Sequence, residues 1–134
     1  MHIVLDTNVL VSGSLNPNGA PGRILDLILD GKIQLLYDDR ILGEYQEALL
    51  RPELSIQPGH VQAILSYLRL AGKRVSAMPL FIDILPDQDD LPCIEVAITG
   101  EAEAIVTGNR KHFVAVPSVE GKIYSPQEFL KLIQ

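Results

Sequence analysis

Apolar positions along this chain follow two alternating patterns: short unbroken runs, and longer stretches that repeat at three- and four-residue intervals. The first run, residues 2–6, reads as a buried strand that ends on the carboxylate of Asp6. Gln34–Tyr37, Arg74–Met78 and Glu103–Thr107 read as further strands, with short additional ones over Val114–Val116 and Lys122–Tyr124. Gly13 to Gly22, rich in Gly, Asn and Pro, reads as a loop. Pro21 then suits the first turn of a helix that ends near Gly31. A second helix over about 40–50 is capped by Asp38 or Asp39. Ile41, Leu42, Tyr45, Ala48 and Leu49 share one of its faces, and Glu44 lies at the border.

A third helix runs from Pro58 to about Ala71, with Val61, Ile64, Leu65, Leu68 and Ala71 inward and Gly72 as its stop. A fourth, Leu91 to Thr99, follows the acidic turn Pro86–Asp90. The last, Pro126–Ile133, follows Ser125, which with Glu128 completes a capping box. Strands alternating with helices predict an α/β fold: a three-layer α/β/α sandwich around a central, mainly parallel, Rossmann-like sheet. No repeat or linker divides the chain, so residues 1–134 read as one domain.

Composition narrows the function classes. A hydrophobic fraction of 47% fits a globular fold rather than disorder. The single cysteine, Cys93, allows no internal disulfide, fits a reducing cytosol and is expected in the core. No basic segment with a following apolar run opens the chain, and no stretch approaches the ~20 apolar residues of a membrane span. A cytoplasmic protein with no membrane contact is the expectation. The net charge of −6 argues against a broad basic surface for gripping phosphate backbones. Nucleic acid stays open as a substrate, because acids gathered around a divalent cation lower the formal charge and the ion restores part of it. An acidic chain also suits a basic protein partner.

Acids recur where strands end and helices begin. Asp6 closes the first strand; Asp87, Asp89 and Asp90 precede a helix; Thr107 and Asn109 close the Ile105-Val106 strand; Glu44 comes from the helix after the second strand. In a parallel sheet these positions share the carboxyl edge and can converge on one crevice. Carboxylate oxygens there are the preferred ligands of Mg²⁺ or Mn²⁺. Each residue also has a plainer reading. Asp6 can bond a turn, Glu44 can pair with Arg40 at four-residue spacing, and Asp90 can cap the helix containing Pro92. Asp87 and Asp89 read as solvated turn residues or outer supports, and Asn109 as a turn residue. Arg110, Lys111 and His112 form a small basic run, either a solvated face or a phosphate contact. His2 and His60 have no catalytic context.

These segments, in this order, carry a resemblance over nearly the whole chain. Ile3 to Gly13 resembles the opening motif of PIN domains, and Ile41-Leu42-Gly43-Glu44-Tyr45 the segment with their second acid. Asp87 to Ala97 is similar to their third motif, Ala104-Ile105-Val106-Thr107-Gly108-Asn109 to their fourth, and Ile123 to Leu130 to their ending. The nearest subgroup is the prokaryotic, VapC-like PIN proteins assigned as toxins of toxin–antitoxin systems. The resemblance implies a Mg²⁺- or Mn²⁺-dependent endoribonuclease on a Rossmann-like sheet, with an RNA substrate, a cognate antitoxin and a homodimeric state. It assigns Asp6, Glu44 and Asp90 to the metal, Thr7 or Asn8 to the support of Asp6, and Thr107 to orienting the site. Many PIN domains carry aspartate where this chain has Asn109, whose neutral oxygen weakens a second metal; Asp87 or Asp89 is the compensating candidate. Arg110 and Lys111 are the candidates for holding the RNA backbone. A non-catalytic PIN-type module for RNA or protein is the alternative. A phosphatase with Asp6 as nucleophile ranks last, because the second acid of an Asp-x-Asp site is Asn8 here.

Overall fold

The computed structural model describes residues 1–80, 85, 87–113 and 116–134. Its strands are β1 (His2–Leu5), β2 (Gln34–Tyr37), β3 (Lys73–Arg74), β4 (Ala104–Val106) and β5 (Ile123–Tyr124). They form one sheet in the order β3-β2-β1-β4-β5, and every pairing is parallel. The helices are α1 (Thr7–Leu15), α2 (Ala20–Leu29), α3 (Asp39–Leu49), α4 (Pro58–Ala71), α5 (Leu91–Thr99) and α6 (Pro126–Ile133). This is the α/β/α sandwich expected from the alternation. Strand order steps outward from β1 to β3 and then reverses at β4, so right-handed crossovers place α5 on the face opposite α2. Helix α5 packs on β1, β2 and β4, while α2 touches both α4 and α6.

Parallel strands covered on both faces must be apolar throughout. Ile3, Val4, Leu5, Leu35, Leu36, Ala104, Ile105 and Val106 are all buried accordingly. The apolar face predicted for α3 is the face it buries, and Asp38 caps that helix through the Ile41 amide at 3.0 Å. Ser125 and Glu128 complete the predicted capping box of α6. Gly72 stops α4 by close approach rather than by a left-handed turn: a Cβ there would lie 2.8 Å from the Leu35 carbonyl.

Four expectations need correction. The loop predicted over 13–22 is only residues 16–19, because α1 continues to Leu15 and α2 begins at Ala20. Gly13 and Gly22 are packing residues: a Cβ on Gly13 would stand 2.9 Å from the Pro21 carbonyl oxygen, and one on Gly22 2.5 Å from the Pro17 backbone. Asp6 lies just past the first strand, as the residue before α1. The strand predicted over 74–78 is Lys73–Arg74. Of the short strand predicted over 114–116, Val114 and Ala115 lie outside the described residues, as does Pro86 of the acidic turn; Val116 is not in a strand.

Candidate active site

Strand order reverses between β1 and β4, the position where open α/β sheets form their binding crevice. Each strand is followed there by a polar side chain. Leu5 and Val106 are register partners, so Asp6 and Thr107 follow side by side. The Thr107 hydroxyl donates to Asp6 Oδ2 at 2.8 Å, and accepts from the Asn109 amide at 3.0 Å. Thr107 is buried completely and Asp6 nearly so. Asp6 occupies the cap position of α1, but its carboxylate makes no capping bond. The turn reading of Asp6 is therefore replaced by a bond between strands.

Asp90 repeats the arrangement. Asp87 caps the 3-10 turn Gln88–Asp90 through the Asp89 amide at 2.9 Å, and that turn leads directly into α5. Asp90 takes the cap position of α5 without a side-chain cap. Its Oδ2 instead lies 3.0 Å from Nδ1 of His112, within hydrogen-bond distance. His112 belongs to the 3-10 turn Arg110–His112, fixed from behind by the fully buried Phe113. Burial, then the charge of Asp6, raise the Asp90 carboxyl above the usual aspartate range, and His112 partly offsets them.

Glu44 reaches the same region from α3. The neighbouring Tyr45, entirely buried, donates to the Leu5 carbonyl at 2.6 Å and ties the helix to the end of β1. The local pairing of Glu44 with Arg40 does not form. Arg40 bonds Asp38 and Glu95 instead, through contacts of 2.7 and 2.6 Å. The nearby Thr7 side chain favours the ionised form of Glu44. Burial and the charges of Asp6, Asp89 and Asp90 raise its carboxyl above the usual glutamate range.

Asp6, Glu44 and Asp90 thus share one electrostatic environment. Thr107 supports Asp6 directly, whereas Thr7 serves Glu44 and Asn8 is exposed on α1. Asp87 is a cap, Asp89 is exposed but near enough to act on Glu44, and the half-buried Asn109 contributes its backbone amide. Arg110 is ion-paired with Glu128 at 2.8 Å, and Lys111 is exposed. Cys93 is core, and burial pushes its thiol well up, away from a reactive thiolate.

His112 and Glu95 are the residues that sequence reasoning missed. His112 stood in a basic run, and its contact spans 22 residues. Glu95, buried on α5, accepts from Arg40 and from the Leu80 amide at 2.6 Å. An acid inside the apolar run Cys93–Ala97 was the available signal.

Among the described residues, no group of three His, Cys, Asp or Glu side chains is arranged to hold a metal ion as it stands. The donor chemistry nevertheless fits a hard divalent cation in kind. Every candidate is a carboxylate oxygen, and burial first, then neighbouring negative charge, raises two of the three acids. A cation there would remove that repulsion.

A family model described as the PIN domain matches residues 2–111. An uncharacterized protein of Methanocaldococcus jannaschii is 33% identical, over 98% of this chain and 90% of its own length. A solved chain of VapBC2 from Rickettsia felis, bound to a DNA fragment from their promoter, superposes with a TM-score of 0.60. It is 20% identical and covers 93% of this chain and 98% of its own, a likeness of fold. No helix among the described residues is long and apolar enough to cross a membrane.

Proposed function

The chain belongs to the PIN domain family, and from that premise we propose that it is a Mg²⁺- or Mn²⁺-dependent endoribonuclease, built as one nuclease domain over residues 1–134. The observation that carries the reading is that Asp6 follows β1 at the reversal point of the sheet and its charge acts on both Glu44 and Asp90; all three match acidic positions of the resembled motifs. These three would hold the ion. When bound, such an ion supplies Lewis-acid stabilisation of charge on a scissile phosphate and lowers the pKa of water. Thr107 fixes one Asp6 oxygen. His112 lies within hydrogen-bond distance of one Asp90 oxygen.

Lys111 is the better placed of the two predicted RNA contacts, since Arg110 is engaged by Glu128. The motif resemblance also supports the role of toxin in a type II toxin–antitoxin pair, with a cognate antitoxin, a homodimeric state and cytoplasmic action. An adjacent gene for a small antitoxin, and slowed growth on expression, test that role. Asn109 favours a second reading, a non-catalytic binding module, because a neutral side chain stands where many relatives of this type carry an acid. RNA binding that persists in excess chelator, with no cleavage under Mn²⁺, would select it. Cleavage of RNA under Mn²⁺ that disappears in Asp6→Asn tests the main proposal; undiminished cleavage by that variant overturns it.

A further inference from the structure

The start of α5 offers the Asp90 carboxylate little. Asp90 has helical rather than extended backbone, with φ −80° and ψ −11°, and Pro92 lacks an amide hydrogen. Its side-chain partner comes instead from the segment after β4, where His112 Nδ1 lies 3.0 Å from Asp90 Oδ2. The same segment supplies Thr107 to Asp6. It is pinned along its length: the Asn109 amide donates to the Thr107 hydroxyl, the His112 amide donates to the Asn109 carbonyl at 2.9 Å, and Phe113 is fully buried. Its three basic residues then divide. Arg110 pairs with Glu128 and Lys111 is exposed, while the His112 side chain turns in to Asp90 and is 28% exposed.

We propose that His112 is a positioning residue, donating from Nδ1 to Asp90 and holding that carboxylate in the orientation in which it binds the divalent ion. The inference rests on the metal-dependent ribonuclease reading and adds the group that orients one of its three acids. An imidazole suits the task. Its ring N–H donates in a fixed direction, and unlike Arg or Lys it need carry no permanent charge that would repel a cation beside it. The pinned turn gives that ring a fixed origin, as the strand end does for Thr107.

Binding of Mn²⁺ to the full chain, read from the EPR signal of the free ion, tests this. His112→Ala should weaken binding about tenfold or more, the scale on which a group behind a metal ligand acts. His112→Asn, whose side-chain amide can stand where Nδ1 stands, should recover most of the loss. His112→Gln, one bond longer, should not. In the Asp90→Asn background, His112→Ala should change nothing further. Saturating Mn²⁺ should restore RNA cleavage by His112→Ala, because His112 acts through Asp90. Parent-like affinity in His112→Ala, or equal losses in the Ala and Asn variants, overturns the positioning role and leaves the metal site standing. Cleavage that stays lost at saturating Mn²⁺ also overturns it, by assigning His112 to the substrate. A parent chain that binds no Mn²⁺, or whose binding is unchanged by Asp90→Asn, overturns the metal site and the positioning role together. Should His112→Ala fold poorly, the comparison of the Asn and Gln variants decides alone.

Discussion

Thr107 donates a 2.8 Å hydrogen bond to Asp6 across the one point where the sheet reverses its strand order. Two residues 101 apart in sequence are thereby register neighbours, and the carboxylate at the end of β1 is held by the strand beside it. Thr107→Val keeps the shape and removes the donor. A hydrogen bond to a charged group contributes about 1.5–3 kcal/mol, so urea unfolding should report a loss near that size. Cleavage should fall further than stability explains, and Thr107→Ser should restore both. A valine variant with parental stability and activity would show that the bond neither holds nor orients Asp6.

Arg40 and Glu95 tie α3 to α5, the helices bearing Glu44 and following Asp90. Glu95 is 3% exposed, so removing its cation strands a buried charge. That costs about 3–5 kcal/mol for a fully buried pair; the Arg40 side chain is 48% exposed, so water moderates the loss. Arg40→Ala should destabilise by about 2 kcal/mol. Most of that should vanish when Glu95→Gln is already present, as a double-mutant cycle would measure.

Metal-free stability should depend on pH with a defined sign. A carboxyl whose pKa is higher folded than unfolded binds its proton more readily in the folded chain. Stability then falls as pH rises from the unfolded value through the raised folded one. Glu44 and Asp90 both behave this way, from unfolded values of 4.5 and 3.8 upward. In chelator, Glu44→Gln should therefore melt above the parent at about pH 8, with the gap closing on acidification through that window. Added Mn²⁺ should raise the parent more than the variant. Parallel melting curves for the two proteins at every pH would contradict the shared charge.

These residues show which part of the site was legible. Asp6, Glu44, Asp90 and Thr107 could be placed on one edge because period and capping patterns locate element ends, and a parallel sheet gathers those ends. Partners were not legible. Arg40 has Glu44 four residues away and bonds Asp38 and Glu95 instead, and His112 meets Asp90 only because the turn anchored by Phe113 brings it across. Glycine misled where α1 meets α2: at Gly13 and Gly22 it permits close packing, and composition alone reads it as a loop.

Asn109 should limit metal loading. Its side chain is half-buried at the start of the Arg110–His112 turn, and its amide already bonds Thr107. Asn109→Asp adds a carboxylate to the edge without changing size. Titration calorimetry should find tighter Mn²⁺ binding by about tenfold, the scale on which one supporting ligand typically acts, or a second bound ion. Unchanged affinity and stoichiometry would place Asn109 outside the ion's reach.

The central claim is that Asp6, Glu44 and Asp90 gather around one cation. A crystal structure of the protein soaked in Mn²⁺, with anomalous scattering to locate the ion, tests it most directly. The account predicts a single strong peak bound by oxygens of Asp6 and Asp90, with Glu44 beside it and Thr107 still bonded to Asp6. A fully occupied ion elsewhere on the chain, with these three carboxylates unbound, would contradict it.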